Sequence, residues 1–213
     1  MIKTLLIILS ILTSGVTLSK EDSVSHSKTV AGIISMPKAA ALNIMTEALS
    51  SVKKLQKQGL ATPENIKKLI GAKLLPNIDI DAATHLVLKK HLSELNNTQI
   101  QLFERYIIHS LIKDYSGMLG SYDKLDSIKV TAEPNVKRKG AKAKVNLIIA
   151  LGGASKPAKV TLKMIQTNQW RIYDIAFLGV SLIKTYRAQF NSHIRRKGVD
   201  SLIEKISKKL LEG

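Results

Sequence analysis

The chain has 213 residues, 45% of them hydrophobic and only 4% aromatic, and it has no cysteine. That is enough for one ordinary domain with a sizeable, mainly aliphatic core; it excludes a disulfide framework, thiolate metal sites and a lipid-modified cysteine. Lys and Arg number 33 against 16 Asp and Glu, a net charge of +17, so the partners to expect are anionic: nucleic acid, acidic lipid headgroups or an acidic protein.

Residues 1–19 read as a secretory signal. Lys3 is a minimal basic start, Leu5 to Leu12 is a short apolar run, and Thr17-Leu18-Ser19 offers small residues for cleavage before Lys20. The apolar run falls short of the ~20 residues a membrane-spanning helix needs. Losing Lys3 leaves 32 − 16 = +16. Export argues against nucleic acid as the normal partner despite the charge. Residues 20–36 are polar and aperiodic, a flexible lead-in to a domain expected over 37–213.

From Pro37 a helical stripe carries Leu42, Met45, Leu49, Val52 and Leu55, ending near Gln58-Gly59. Thr62 then suits an N-cap with Pro63 at the first helical position, for a helix that stops at Leu74-Leu75-Pro76. A third helix is predicted from Asp79 or Asp81. Thr98 and Gln101 have capping-box spacing before a long helix to about Leu119. Phe103, Ile107 and Leu111 lie on one stripe of it and Tyr106 and Tyr115 beside them, an apolar arc wide enough for burial on two sides.

After Gly120 the period changes to two. Strands are predicted around Ile128 and Val130, over Val145, Leu147 and Ile149, over Val160, Leu162 and Met164, and from Trp170 to Ile175. Lysines alternate with the aliphatic residues, which makes a four-stranded antiparallel meander buried on one face. Strict alternation puts Trp170 and Ile172 on the face of Asp174, and Tyr173 and Ile175 on that of Arg171. Gly179 turns the chain into a helix with Val180, Ile183, Tyr186, Phe190 and Ile194 on one face, and Gly198 is placed to end it. A last helix runs from Asp200 to Leu211. The fold class expected is α+β.

The segments L-L-P-N-I-D (74–79), H-L-V-L-K-K-H (85–91), T-Q-I-Q-L-F-E-R-Y (98–106) and above all W-R-I-Y-D-I-A-F-L-G-V-S-L-I-K-T-Y-R-A-Q-F (170–190) resemble the MlaC, or toluene-tolerance, family. The family usually has Trp after the Lys-His pair, where this chain has Leu92. The resemblance implies a helical part joined to a curved, NTF2-like sheet that encloses an apolar pocket. It implies a periplasmic carrier of phospholipid, held as cargo without other cofactor. Such a carrier passes lipid between an outer-membrane lipoprotein complex and an inner-membrane ABC transporter and so maintains outer-membrane lipid asymmetry. A monomer is expected. The residues named as lipid-binding are Phe103, Tyr106, Ile107, Leu111, Tyr115, Val145, Leu147, Ile149, Val160, Leu162, Met164, Trp170, Ile172, Tyr173, Ile175, Val180 and Ile183. Exposing two acyl chains of ~30 methylenes costs on the order of 25 kcal/mol, so a soluble carrier must enclose both.

Other readings stay open on the residues alone. The aliphatic alternation fits an ordinary packed core. Asp174 suits a general base in an NTF2-like enzyme, or a structural cap. Arg138, Arg195 and Arg196 suit a basic adaptor for an acidic partner. The histidines (His26, His85, His91, His109, His193) have no metal-ligand spacing, and no nucleophile elbow or phosphate loop is present.

Overall fold

In the computed structural model the described residues are 36–121, 125–150 and 156–212, with side chains for all of these except 115 and 117–121. The export signal and nearly all of the lead-in lie outside them.

Helix α1 spans Pro37–Lys57 and ends on Gly59, whose φ of 68° suits glycine. Thr62 caps α2 (Pro63–Leu69), its hydroxyl accepting from Asn65 N–H at 3.3 Å. The chain continues through one π turn, Ile70–Leu74, and a 3₁₀ turn, Leu75–Asn77, where Pro76 prevents further helix. Asp79 caps α3 (Ile80–Leu88), accepting from Ala82 N–H at 2.9 Å. Helix α4 is Asn97–Ser121. Its capping box is not Thr98 with Gln101 but Asn96 with Gln99. Gln99 N–H donates to Asn96 Oδ1 and Asn96 N–H to Gln99 Oε1, both at 2.9 Å. Asn is the stronger N-cap, and its box lies two residues earlier, so the helix begins before Thr98.

The sheet has six strands rather than four: β1 (Lys129–Ala132), β2 (Lys137–Lys139), β3 (Lys142–Ala150), β4 (Ala158–Gln166), β5 (Trp170–Phe177) and β6 (Val180–Ser181), all paired antiparallel in the order β1-β3-β4-β5-β6. Strand β2 also pairs with β3, so β1 and β2 act as one edge strand interrupted around Pro134. A bulge in β5 corrects the expected faces. Lys163 opposes Asp174 and Met164 opposes Ile172, which leaves Tyr173 as the extra residue. Trp170, Ile172, Ile175 and Phe177 therefore pack with the same cluster, and Asp174 stands on the other face.

Helix α5, Leu182–Leu211, is broken at Gly198, where φ 81° and ψ 168° are open to glycine alone. Val180 is not on it. It belongs to β6 and is 49% exposed; the helix begins after Ser181, whose hydroxyl accepts from Lys184 N–H at 3.2 Å. The apolar stripe consequently starts at Ile183.

Three clusters form the interior. Ala41 and Ile44 of α1 lie on Val145, Leu147, Leu162, Met164 and Trp170 of the sheet. Val87, Phe103, Ile107, Ile183, Tyr186 and Phe190 join α3, α4 and α5. Val52, Ile66, Ile70 and Leu125 close the end of α1 against α2, with Ile112 of α4 packed against them. Helix α4 thus serves two clusters, as its wide apolar arc requires. The outcome is an α+β fold with an open antiparallel sheet.

Candidate functional site

The predicted lipid-binding residues separate into groups. Val145, Leu147, Val160, Leu162, Met164, Trp170 and Ile172 are buried under α1, with Ile149 and Ile175 half-buried at the margin. Phe103 and Tyr106 sit in an aromatic group around Phe190, with ring centroids 5.2 and 6.1 Å from it. Ile107, Leu111, Ile172, Tyr173, Ile175 and Ile183 converge on an apolar cavity of about 50 Å³ between α3, α4, α5 and β5. Val180 is elsewhere, on the β5–β6 turn. The side chain of Tyr115 lies outside the described residues.

That small cavity has room for a water-sized group and not for an acyl chain. The larger opening is a groove of about 660 Å³ between the C-terminal half of α1 and β1. Leu49, Ile128 and Val130 give it apolar surface, and Lys53, Lys54 and Lys57 give it charge. Sequence reasoning put Leu49 and Val130 in elements but not in a site, because the seam joins segments some eighty positions apart. It also missed the seat of α1. Ala41 is wholly buried and Ile44 nearly so, yet alanine scarcely registers in an apolar stripe.

Asp174 occupies a capping position. It is 4% exposed, and its carboxylate accepts from the Ser181 hydroxyl at 2.7 Å, Lys163 Nζ at 2.8 Å and Ile183 N–H at 3.2 Å. It ties β4 and β5 to the first turn of α5. Three donors thus occupy three of the roughly four acceptor positions of the carboxylate, all of them from the fold itself. Beside it, the Tyr173 hydroxyl is pushed up, first by burial and then by the Asp174 charge, with Lys163 opposing. The Tyr173 ring carries Lys142 Nζ at 5.8 Å.

The polar residues of the 173–190 run are spent on architecture in the same way. Tyr186 donates to Ser110 Oγ at 3.1 Å. The Arg187 guanidinium donates to the Leu86 carbonyl near the end of α3, from Nε at 2.8 Å and also from Nη2. The histidines go separate ways: His85 to Asp81, His91 between Glu94 and Asn191, His193 to Ser201. Burial, then Lys205, Lys197 and Arg196, hold His193 below the usual histidine range. Arg138 lies over the Trp170 ring at 5.3 Å, whereas Arg195 and Arg196 are exposed on α5. Among the described residues no helix is long and apolar enough to cross a membrane.

An aliphatic sheet face under a long helix, with a groove of ligand size at their seam, defines an α+β protein organised around an apolar interior. The chain belongs to the MlaC family, whose model, described as "MlaC protein", matches residues 43–208. Among curated relatives it is 25% identical over 157 residues to a toluene tolerance protein, Ttg2D, of Pseudomonas putida, covering 73% of this chain and 71% of that one. Its fold is similar to that of a phospholipid-binding protein from Ralstonia solanacearum solved in complex with a phospholipid. There the TM-score is 0.72 at 20% identity, over 83% of this chain and 97% of the other.

Proposed function

We propose that this chain is a soluble periplasmic phospholipid carrier. It takes lipid from an outer-membrane lipoprotein complex and delivers it to an inner-membrane ABC transporter, or the reverse. The observation that carries the reading is family membership across α1 to α5, within the fold on which a relative holds a phospholipid. The carrier domain is residues 37–213, and residues 1–19 direct its export. The fit of Asp174 to a capping role removes the main reason for an enzyme.

Cargo enters at the groove beside α1. The acyl chains slide between α1 and the sheet and take over the contacts that Ala41 and Ile44 make with Val145, Leu147, Leu162 and Met164. Helix α1 suits this displacement. An alanine buries far less apolar area than a leucine, so lifting Ala39 to Ala41 from the sheet costs correspondingly less. The tails then repay the opening many times over, at ~0.8 kcal/mol per methylene. Ile172, Tyr173, Ile175 and Ile183, around the small cavity, are the next surfaces available as the interior expands.

Solvent extraction of the purified protein followed by mass spectrometry tests this. The expected result is about one phospholipid per chain. A folded protein that is consistently lipid-free and takes none from vesicles overturns the reading.

A further inference from the structure

The solvent face of the sheet carries a lysine array that its own fold does not explain. Lys137 of β2 lies directly opposite Lys144 of β3, which lies directly opposite Lys163 of β4. One step along, Lys139 of β2 opposes Lys142 of β3. Opposed side chains in an antiparallel pair have Cβ atoms roughly 5 Å apart, and like charges there destabilise the sheet. Lys163 is neutralised in place by Asp174 at 2.8 Å, and the Glu133 carboxylate, paired with Lys159, also acts on Lys144. Among the described residues the other four form no ion pair. All four are exposed.

Protection of a sheet edge accounts for cations on β2. It does not account for Lys142, Lys144 and Lys163, which lie on β3 and β4, two of the three interior strands. An anionic surface laid across β2 and β3 would relieve the repulsion that these internal carboxylates leave. We propose that this face docks the protein on anionic lipid bilayers.

The chemistry favours a lipid surface over an acidic protein. Protein interfaces are depleted in lysine and anchored by aromatic residues and arginine. Here Arg138 of β2 is turned to the opposite face, over Trp170; Arg171 of β5 shares the face of the array but is only half-exposed, and the Tyr173 ring lies beneath Lys142. A fluid layer of phosphates needs no fixed partner geometry, and flexible, strongly hydrated ammonium groups suit it. This proposal is independent of which cargo the interior holds.

The test is co-sedimentation of the purified chain with vesicles of phosphatidylcholine alone and of phosphatidylcholine with about one third phosphatidylglycerol. Binding is expected only to the anionic vesicles, and is lost at about 1 M salt, where charges are screened beyond ~3 Å. Each lysine near an anionic surface contributes roughly fivefold, so changing Lys137, Lys139, Lys142 and Lys144 together to Gln should weaken binding by roughly several hundredfold. A variant of equal net charge, with the exposed Lys67, Lys90, Lys208 and Lys209 changed to Gln, away from the groove and the array, should stay within a few-fold of wild type. If the first variant does not fold, Lys137→Gln with Lys139→Gln on the edge strand should still cost roughly twenty-five-fold. Equal losses in the two charge-matched variants reduce the effect to net charge and overturn the proposal. So does a folded wild-type chain that ignores anionic vesicles, which leaves the array to an acidic protein.

Discussion

Replacing Asp174 by Asn separates a structural role from a chemical one at the most connected carboxylate among the described residues. The amide can still accept from Ile183 N–H, but its Nδ2 then faces two donors, Ser181 Oγ–H and Lys163 Nζ. The Ser181 hydroxyl, which already accepts from Lys184 N–H, can take a second donor only by turning its own O–H away and losing the acceptor it has in Asp174. Removing one partner of a buried ion pair costs ~3–5 kcal/mol. The Lys163 side chain is 33% exposed and recovers part of its hydration, which brings the expected loss to about 2–4 kcal/mol. For a domain of this size that lowers the unfolding temperature by roughly 5–15 °C. Thermal unfolding followed by circular dichroism near neutral pH measures it. Lys163→Gln and the double variant complete a cycle in which the two sites should couple by about 1–2 kcal/mol. Phospholipid content per folded chain should be unchanged. A fall of less than about 2 °C, corresponding to under ~1 kcal/mol, would show that the cap is dispensable and refute the reasoning.

Ala41→Leu overfills the seat of α1 and should destabilise the lipid-free chain by ~1–3 kcal/mol. The lipid-loaded chain should suffer less, so the gap between loaded and empty unfolding temperatures widens; equal losses in both forms count against entry beneath α1. Gly198→Ala forces a methyl group into backbone angles reserved for glycine. It should cost about 1–3 kcal/mol in chemical denaturation although the added carbon meets no neighbour within 4 Å. Burial, then Asp81, raise the Glu104 carboxyl, with His85 opposing. A raised carboxyl binds protons more readily folded than unfolded, so its contribution to stability declines as pH climbs through its titration. Glu104→Gln should therefore raise the unfolding temperature near pH 7 and leave it unaltered near pH 4, where both states are mostly protonated, and an equal change at both contradicts the assignment. For His193 the sign is opposite: its depressed titration removes stability on acidification, and Lys205→Gln should move its proton-NMR titration upward.

The strand-to-helix unit from Trp170 to Gly198 was readable because two periods meet at one glycine. The aromatic and β-branched run is followed at once by a 3.6-residue stripe. The register of that strand was not readable. The bulge at Tyr173 depends on which residue of β4 lies opposite, and alternation within one segment carries no information about its partner. Strand β2 was hidden for a different reason: three consecutive cations have no apolar period. The start of α4 was misplaced because Asn96–Gln99 and Thr98–Gln101 are overlapping boxes, and only the stronger cap forms. The groove was illegible in principle, being a meeting of α1 with β1 across a long stretch of chain. The aliphatic faces themselves were anticipated; that α1 covers them through alanine was not.

The interrupted margin formed by β1, Pro134 and β2 has a consequence for how copies of the protein avoid one another. A chain that parts its own interior to admit a guest briefly bares a greasy sheet, the situation in which strands from separate copies recruit one another into fibrils. One rim is broken at a proline and studded with ammonium groups, and the other ends in the two-residue β6, so neither presents a run long enough to template a neighbour. Opening of the kind proposed above therefore need not lead to polymerisation, and restoring a continuous, uncharged rim is the alteration that would turn this protein towards aggregation.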